Sequence, residues 1–310
     1  MSILSRPLVA SSVALAMQCG SAVGSALVSR RRGPLLPEYP GITEQITIPT
    51  SVAPARAAVY WPADRGEFPP VHVNFHGGGY VMRGAAFDDP LCRYLAAVAG
   101  VVVVNVDYAV APQHRFPEPP HQAFEAVRWV AANGSSHSWD GSRLTVGGQS
   151  AGGGLAAAVA RQALERGEPA IALQVLHYAP LDLVTPASRK PSPVARPVIS
   201  PWMGEVFDTA YIPNPADRSD RLASPAHESD AADLTGIAPA LVITCEYDRL
   251  RGDGERYARR LEAAGALVEH HQVAGADHAY DMRDPERARE TYALIARRIV
   301  EAGRATAAAR

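Results

Sequence analysis

The chain has 310 residues, of which 47% are hydrophobic and 20% are charged. This composition is close to that of average globular proteins, so it excludes disordered, collagen-like and coiled-coil proteins and allows a large buried core. Thirty basic residues against 32 acidic residues give a net charge of −2, and the basic residues are scattered apart from Arg30, Arg31 and Arg32. We therefore expect no nucleic-acid partner.

The three cysteines, Cys19, Cys92 and Cys245, are odd in number and far apart in the sequence. That spacing argues against a disulfide framework and against a structural zinc site. The sequence also carries no nucleotide or flavin motif, so we expect no metal and no other cofactor. A reducing compartment follows most simply, and we predict a cytoplasmic protein.

The amino-terminal segment Pro7 to Val28 has no formal charge over 22 residues, which is long enough to cross a bilayer. Membrane association or export through this segment is therefore an alternative to the cytoplasm. Only Arg6 precedes the apolar run, whereas a secretory signal has a more basic start. The apolar positions at helical spacing include Val9, Val13 and Met17, and the polar positions opposite them include Ser11 and Gln18. This pattern favours an amphipathic helix that covers a core or a pocket, and membrane contact is not favoured.

From residue 46 onward, apolar strand-like runs alternate with longer helix-like stretches, which is typical of a mostly parallel sheet flanked by helices. The eight predicted strands are Ile46–Ile48, Ala57–Trp61, Val71–Phe75, Val101–Val106, Leu144–Gly147, Leu173–Tyr178, Ala240–Cys245 and Val268–Val273. The predicted helices between them are Pro90–Ala99, Pro119–Ala132, Ala151–Arg166, Gly254–Ala264 and Pro285–Glu301.

One long stretch, Thr185 to Gly236, interrupts this alternation. Its five prolines between residues 186 and 201 exclude regular structure there, and a short helix follows with Met203, Phe207 and Tyr211 on one face. Loops of this length usually have a function. Together with the amino-terminal segment, we expect it to form a lid over the carboxyl ends of the strands, where ligands bind in open α/β sheets.

Residues Gly148 to Gly152 read G-x-S-x-G and lie between an apolar strand and an alanine-rich helix. In this setting the motif is typical of a sharp turn that exposes the Oγ of Ser150 as a nucleophile. Side chains at the two flanking glycines would collide with the neighbouring strand and helix. The alternative is a glycine-rich phosphate turn, but the Lys and the Ser or Thr of a P-loop are missing.

A second glycine cluster follows His76 directly after the third predicted strand. The backbone N–H groups of such a loop can point towards a developing oxyanion. An ordinary glycine loop is the alternative. Two glycine clusters at the ends of neighbouring strands are what acyl transfer requires. We therefore expect the oxyanion donors to be Gly78, Gly79 and Ala151, with Gly77 as a further candidate.

A serine needs a base and an orienting acid, which in this sheet topology follow it in the order Asp or Glu, then His. His278 lies in a loop directly after the last predicted strand and is the candidate base. Asp248, just past the strand that ends at Cys245, is the candidate acid, and Asp182 after the sixth strand is the alternative. Asp277 is disfavoured because the neighbouring histidine ring would have to fold back on it.

Together these segments resemble the hormone-sensitive-lipase family of bacterial carboxylesterases, a branch of the α/β-hydrolase fold, from about residue 40 onward. His76–Gly79 matches the family's HGGG motif, Gly148–Gly152 its nucleophile elbow, and Asp248–Arg251 its acid motif. His278 matches its catalytic histidine. The strand end at Tyr178 to Asp182 is also similar to the family's, which implies a structural role for Asp182. Gln149 and Gln113 depart from the family pattern, which commonly has an acidic or hydroxyl residue at the first position and an acidic one at the second.

The resemblance implies a serine carboxylesterase or lipase-like hydrolase that cleaves short- to medium-chain acyl esters through Ser150, Asp248 and His278, without a cofactor. It also implies a helical cap. We therefore expect an amino-terminal cap segment (1–40), a catalytic domain (41–184 and 237–310) and a cap insertion (185–236). Candidate pocket residues are Tyr80, Trp202, Met203, Phe207 and Tyr211, and packing of the cap explains them equally well.

Two other functions remain open on the sequence. An amidase or formamidase would use the same triad, because the leaving-group preference depends on pocket shape. A non-catalytic receptor for a small ligand could use the same scaffold, although the presence of both Ser150 and His278 disfavours it. The expected partner is a small-molecule ester, and a homodimer is left open.

Overall fold

An eight-stranded sheet forms the centre of the protein in the computed structural model, which describes residues 2–31, 35–39, 41–64 and 66–308. Side chains are described at residues 2–20, 35–39, 41, 43–64 and 66–305. The strands are β1 (Ile42–Ile48), β2 (Ala55–Trp61), β3 (Pro70–Phe75), β4 (Val102–Asp107), β5 (Asp140–Gln149), β6 (Leu173–His177), β7 (Ala240–Cys245) and β8 (Leu267–Val273).

The strands lie in the order β1-β2-β4-β3-β5-β6-β7-β8. β2 pairs antiparallel with both β1 and β4, and all other pairs are parallel. The predicted mostly parallel eight-stranded sheet is therefore confirmed. The valine run of β4 is buried on both faces, because the strand lies between β2 and β3 and helices cover the sheet.

Eight α-helices occur in the described part of the chain: α1 (Pro7–Arg31), α2 (Asp89–Ala99), α3 (Glu118–Ala132), α4 (Gly134–His137), α5 (Ala151–Arg166), α6 (Pro201–Tyr211), α7 (Arg251–Ala263) and α8 (Pro285–Ala308). The five helices predicted between the strands are all present. The main differences are an earlier start of α7 and a later end of α8. The single-turn α4 was not predicted, because four residues carry no periodicity.

The parallel strands bring their carboxyl ends to one edge of the sheet. Phe75 of β3 is level with Gly148 of β5, and Gln149 is level with His177 of β6. Next in line, β6 and β7 are parallel, as are β7 and β8. The loops that follow these strands therefore meet at the same edge, and they contain every residue proposed for chemistry from the sequence.

The amino-terminal segment forms the helix that its pattern predicts, and its inward face contains a glutamine. Ala10 and Ala14 are fully buried, and α1 packs against α6. The Gln18 amide donates to the backbone carbonyl oxygens of Val81 (2.7 Å) and Ala111 (2.9 Å). The prediction that Gln18 lies on the outer side of the helix was therefore wrong. The backbone carbonyl oxygens of Val81 and Ala111 need hydrogen-bond donors, and the amide of Gln18 supplies them.

Gln113, one of the departures from the family pattern, belongs to the same contact. Its amide donates to the Oε1 of Gln18 at 2.9 Å, so an amide at position 113 matches the amide on α1. Ser11 also faces the protein, because it accepts a hydrogen bond from Arg115. Several larger apolar side chains of this region are exposed instead, with Leu8 at 83% and Leu15 at 43%.

Residues 185–236 contain α6 and short 3-10 turns in an otherwise irregular segment. Because α6 contacts α1, the two stretches proposed as a cap from the sequence do meet. Their treatment as a separate cap remains a proposal. In the described ranges, every helix is too short or too polar to cross a membrane.

The Gln18 contact yields a test of how α1 is held. Gln18→Met keeps the length of the side chain but leaves the carbonyl oxygens of Val81 and Ala111 without their donor, so we expect a loss of about 1–2 kcal/mol in the free energy of unfolding. Denaturant unfolding measures this loss. Ser12→Ala is the control, since Ser12 bonds only within α1 on its exposed side. Equal midpoints for both variants would show that the glutamine contributes nothing to the attachment.

Candidate active site

Ser150 lies in a strained turn between β5 and α5. Its φ of +53° and ψ of −121° are unfavourable for a residue with a side chain, and its N–H donates to the carbonyl oxygen of His177 at 2.9 Å. A Cβ on Gly152 would lie 1.7 Å from the carbonyl oxygen of Phe75, and a Cβ on Gly148 would lie 2.4 Å from the same oxygen. The structure therefore supplies the steric reason for both glycines that the sequence suggested.

Three side chains form a hydrogen-bonded triad above this turn. The Nε2 of His278 lies 2.9 Å from the Oγ of Ser150, and its Nδ1 lies 2.8 Å from the Oδ2 of Asp248. His278 and Asp248 are 4% and 3% exposed, whereas Ser150 is only partly buried. The Oδ1 of Asp248 accepts a further hydrogen bond from the N–H of Leu250, which fixes the carboxylate plane. The arrangement matches the order Ser, Asp, His expected from the sequence.

Burial and the nearby carboxylates act on the imidazole in opposite directions. Burial disfavours the charged form of His278, but the charge and hydrogen bond of Asp248, together with the charges of Asp277 and Asp281, outweigh it. The pKa of His278 is therefore raised above its ordinary value. A proton on Nδ1 satisfies the Asp248 carboxylate and leaves Nε2 free to accept from the Ser150 hydroxyl.

The glycine loop after β3 lies beside Ser150. Gly78 and Gly79 have φ angles of +122° and +62°, a backbone conformation that side chains disfavour. Within the described ranges, the backbone N–H groups of Gly78, Gly79 and Ala151 donate no hydrogen bond. The N–H of Gly77 differs, because it points to the Oδ1 of Asp88 at 3.4 Å. Asp88 therefore competes with an oxyanion for the N–H of Gly77, which makes Gly77 the weakest of the four proposed donors.

Buried polar groups support the glycine loop from below. Tyr108 stacks on the ring of His76 at 4.3 Å and donates to its carbonyl oxygen. The Nε2 of His76 lies 3.6 Å from Asp107, and this contact is the main cause that lowers the pKa of Asp107. Burial raises the pKa of Asp88 to about 7. No sequence motif pointed to Asp88, because the residue belongs to none of the motifs that predicted the site.

The two alternative acids have other partners. Asp182 accepts from the N–H groups of Val184 and Thr185 and pairs with Arg256 at 2.8 Å. Asp277 accepts from the N–H of Val198 at 2.8 Å, so it joins the histidine loop to the segment before α6. Neither carboxylate is in hydrogen-bond contact with the imidazole of His278, and the side-chain carboxylate that is in such contact is that of Asp248.

The candidate pocket residues fall into two groups. The ring of Phe207 lies directly on the glycine loop, since a Cβ on Gly79 would be only 2.3 Å from its Cδ2. Tyr80 and Tyr211 are buried and stack on each other at 4.1 Å, which agrees with the alternative of cap packing. Trp202 is 51% exposed. Met203 is partly buried on the first turn of α6.

Across the residues that the structure describes, no group of three or more His, Cys, Asp or Glu side chains is arranged to hold a metal ion. The three cysteines are unpaired, with Cys92 and Cys245 buried. The groups that the structure places at this edge of the sheet are a hydroxyl, an imidazole, a carboxylate and backbone N–H groups.

Sheet order, turn and triad together define an α/β hydrolase with a serine at its nucleophile elbow. A family model described as the alpha/beta hydrolase fold matches residues 72–282, and the chain belongs to this family. The resemblance to the carboxylesterase branch is also confirmed by the relatives that the chain matches.

Two curated relatives and one solved structure illustrate the match. The chain is 37% identical over 214 residues to carboxylesterase NlhH of Mycobacterium tuberculosis, covering 68% of this chain and 66% of the relative, just under two thirds. It is 35% identical over 270 residues to esterase LipI of the same species, covering 84% and 80%. A hyperthermophilic esterase from Pyrobaculum calidifontis superposes with a TM-score of 0.81 and 36% identity, covering 94% of this chain and 91% of that one.

Proposed function

We propose that the protein is a serine carboxylesterase. The observation that carries this proposal is the continuous hydrogen-bonded series from Asp248 through His278 to Ser150. Next to it lies the glycine loop, in which the N–H groups of Gly78 and Gly79 make no hydrogen bond within the described ranges. A base, a nucleophile and oxyanion donors at one place are the requirements of acyl transfer. The esterase names of the relatives support an ester as the substrate.

In the proposed reaction, His278 takes the proton of Ser150 on its Nε2 while the Oγ attacks the ester carbonyl carbon. The developing oxyanion accepts hydrogen bonds from the N–H groups of Gly78, Gly79 and Ala151. His278 then donates its proton to the leaving alkoxide oxygen. Water, activated by the same imidazole, hydrolyses the acyl-enzyme and regenerates the hydroxyl of Ser150.

Asp248 holds the imidazole in the tautomer that this reaction needs. Its carboxylate accepts from Nδ1, so the lone pair of Nε2 faces Ser150. The same charge stabilises the imidazolium that forms in the transition state, and the carboxylate itself takes no proton. The pKa of His278 is raised because nearby carboxylates, Asp248 foremost, stabilise its protonated form.

We propose short- to medium-chain acyl esters as the substrates. The ring of Phe207 lies against Gly79, next to the proposed oxyanion site, and limits the space beside it. We also propose the cytoplasm as the location. All three cysteines are unpaired, including the exposed Cys19, and a reducing compartment suits free thiols.

Ser150→Ala tests the function directly. We expect hydrolysis of p-nitrophenyl butyrate to fall to background, because no nucleophile remains, while thermal unfolding stays within a few degrees of the parent. A fluorophosphonate probe should label the parent and not the variant. EDTA should leave the parent rate unchanged. Turnover in the variant would contradict the assignment, and an unreactive parent that cleaves no ester would favour a receptor.

The pH dependence follows from the sign of the His278 shift. The base must be neutral, so kcat/KM should be low at acidic pH and rise through the raised pKa to a plateau, with the midpoint of this acidic limb above 6.5. Asp248→Asn should move the midpoint to lower pH and reduce kcat by about 10³-fold or more. A parent midpoint below 6.5 would contradict the proposed balance between burial and Asp248.

Acyl-chain length tests the place given to Phe207. Phe207→Ala removes the ring beside Gly79, so we expect the preferred chain in a p-nitrophenyl series from acetate to palmitate to become longer by about two to four carbons. Trp202→Ala, on the same helix but half exposed, should change this preference less. An unchanged profile in Phe207→Ala would mean that the acyl chain binds elsewhere.

A further inference from the structure

Beneath the triad lies a carboxylate that the proposed mechanism does not use. Asp281 is 1% exposed and follows His278 by three residues. Its oxygens accept hydrogen bonds from the Nε2 of Gln149, from the hydroxyl of Tyr178 at 2.8 Å and from the hydroxyl of Tyr292 at 2.7 Å. Among the residues that the structure describes, no lysine or arginine forms an ion pair with it.

Two of these partners lead directly to the reacting groups. Gln149 immediately precedes Ser150 at the end of β5, so its side chain anchors the elbow from within the sheet. The ring of Tyr178 packs against the imidazole of His278, with centroids 4.7 Å apart. Tyr178 itself has a φ of +40°, a conformation that needs support from its surroundings. Asp281 therefore contacts the neighbours of both the nucleophile and the base.

A buried carboxylate without a cation is costly, and neutral donors offset that cost only in part. An apolar side chain of similar size would fill the same space without the penalty. Stability alone therefore does not explain an aspartate at this position. Asp281 lies between the elbow and the histidine loop, where its hydrogen bonds can hold these two segments in place.

We propose that Asp281 is a positioning residue that fixes Ser150 and the ring of His278 relative to each other, through Gln149 and Tyr178. This inference rests on the proposed function of the same site. This role also explains Gln149. The family commonly places an acidic or hydroxyl residue at this position of the elbow, whereas here the elbow carries the amide of Gln149 and the histidine loop carries the carboxylate of Asp281. The two side chains are complementary and should be exchangeable as a pair.

The charge of Asp281 also acts on the base. Its negative field adds to that of Asp248 and favours the protonated imidazole of His278. The other titratable groups that feel this carboxylate are Asp88, His177, Tyr178, Cys245, Tyr280 and Tyr292. Asp88 matters most for an experiment, because burial places its pKa at about 7, inside the range of an activity profile.

The first test compares two hydroxyl deletions at the same carboxylate. Tyr178→Phe and Tyr292→Phe each remove one hydrogen bond to Asp281, but only the ring of Tyr178 contacts His278. With p-nitrophenyl butyrate, we expect Tyr178→Phe to lower kcat about tenfold with KM within about twofold, and Tyr292→Phe to lower kcat several times less. Thermal unfolding should show similar losses of stability in both.

The second test is a double-mutant cycle. Gln149→Glu places two carboxylates against each other, and Asp281→Asn removes the charge, so each alone should lower kcat by about tenfold or more. The double variant restores an amide facing a carboxylate, so its kcat should be higher than that of either single variant and should approach the parental value. Asp281→Asn should also move the acidic limb of kcat/KM to lower pH by about half a unit. The same shift in an Asp88→Asn background excludes Asp88 as its source.

The results of these tests distinguish the positioning role of Asp281 from the proposed esterase function. Additive effects in the cycle, an unmoved acidic limb, or equal kcat losses in the two tyrosine variants would overturn the positioning role and leave an active esterase. If Asp281→Asn lowers the unfolding temperature but leaves kcat unchanged, Asp281 contributes to stability alone. A parent chain that neither turns over ester nor reacts with the fluorophosphonate would overturn the function and this inference with it.

Discussion

The close approach of three backbone segments around Ser150 is the constraint on which the rest of the structure depends. β3 ends at Phe75, and its carbonyl oxygen leaves no room for a side chain at Gly148 or Gly152. This contact is available because β3 and β5 are parallel neighbours in register. The turn can therefore be sharp enough to raise the serine above the sheet edge, where loops from β3, β7 and β8 reach it.

The protonation of His278 depends on a balance between burial and nearby negative charges. The imidazole of His278 is buried, which alone would keep it neutral, yet it faces Asp248 and lies near Asp277 and Asp281. No single group sets its behaviour: burial opposes the charge that the carboxylates favour. Such a balance suits a base that must be neutral at rest and charged in the transition state.

The helices α1 and α6, which are proposed to form a cap, contact the loops beside Ser150. Gln18 of α1 bonds to the carbonyl oxygens of Val81 and Ala111, and Phe207 of α6 lies on Gly79. The amino-terminal helix is thus attached next to the glycine loop whose free N–H groups are proposed to bind the oxyanion. A change in the position of α1 or α6 would alter the space beside Ser150, which couples the shape of the pocket to the packing of two helices.

From the sequence alone come the mostly parallel sheet, the helices between its strands and the proposal of Ser150, Asp248 and His278 as a triad, because local patterns and glycine positions report directly on strand ends and turns. The contact of the Gly77 N–H with Asp88, by contrast, depends on folding, because it brings a residue from beyond the glycine loop against that loop. The tertiary structure likewise decided that Gln18 faces inward and that Gln149 meets Asp281. Those contacts join residues 63 and 132 positions apart, and a single sequence carries no signal for such a distance because hydrogen-bond partners are chosen by the fold and not by their neighbours along the chain.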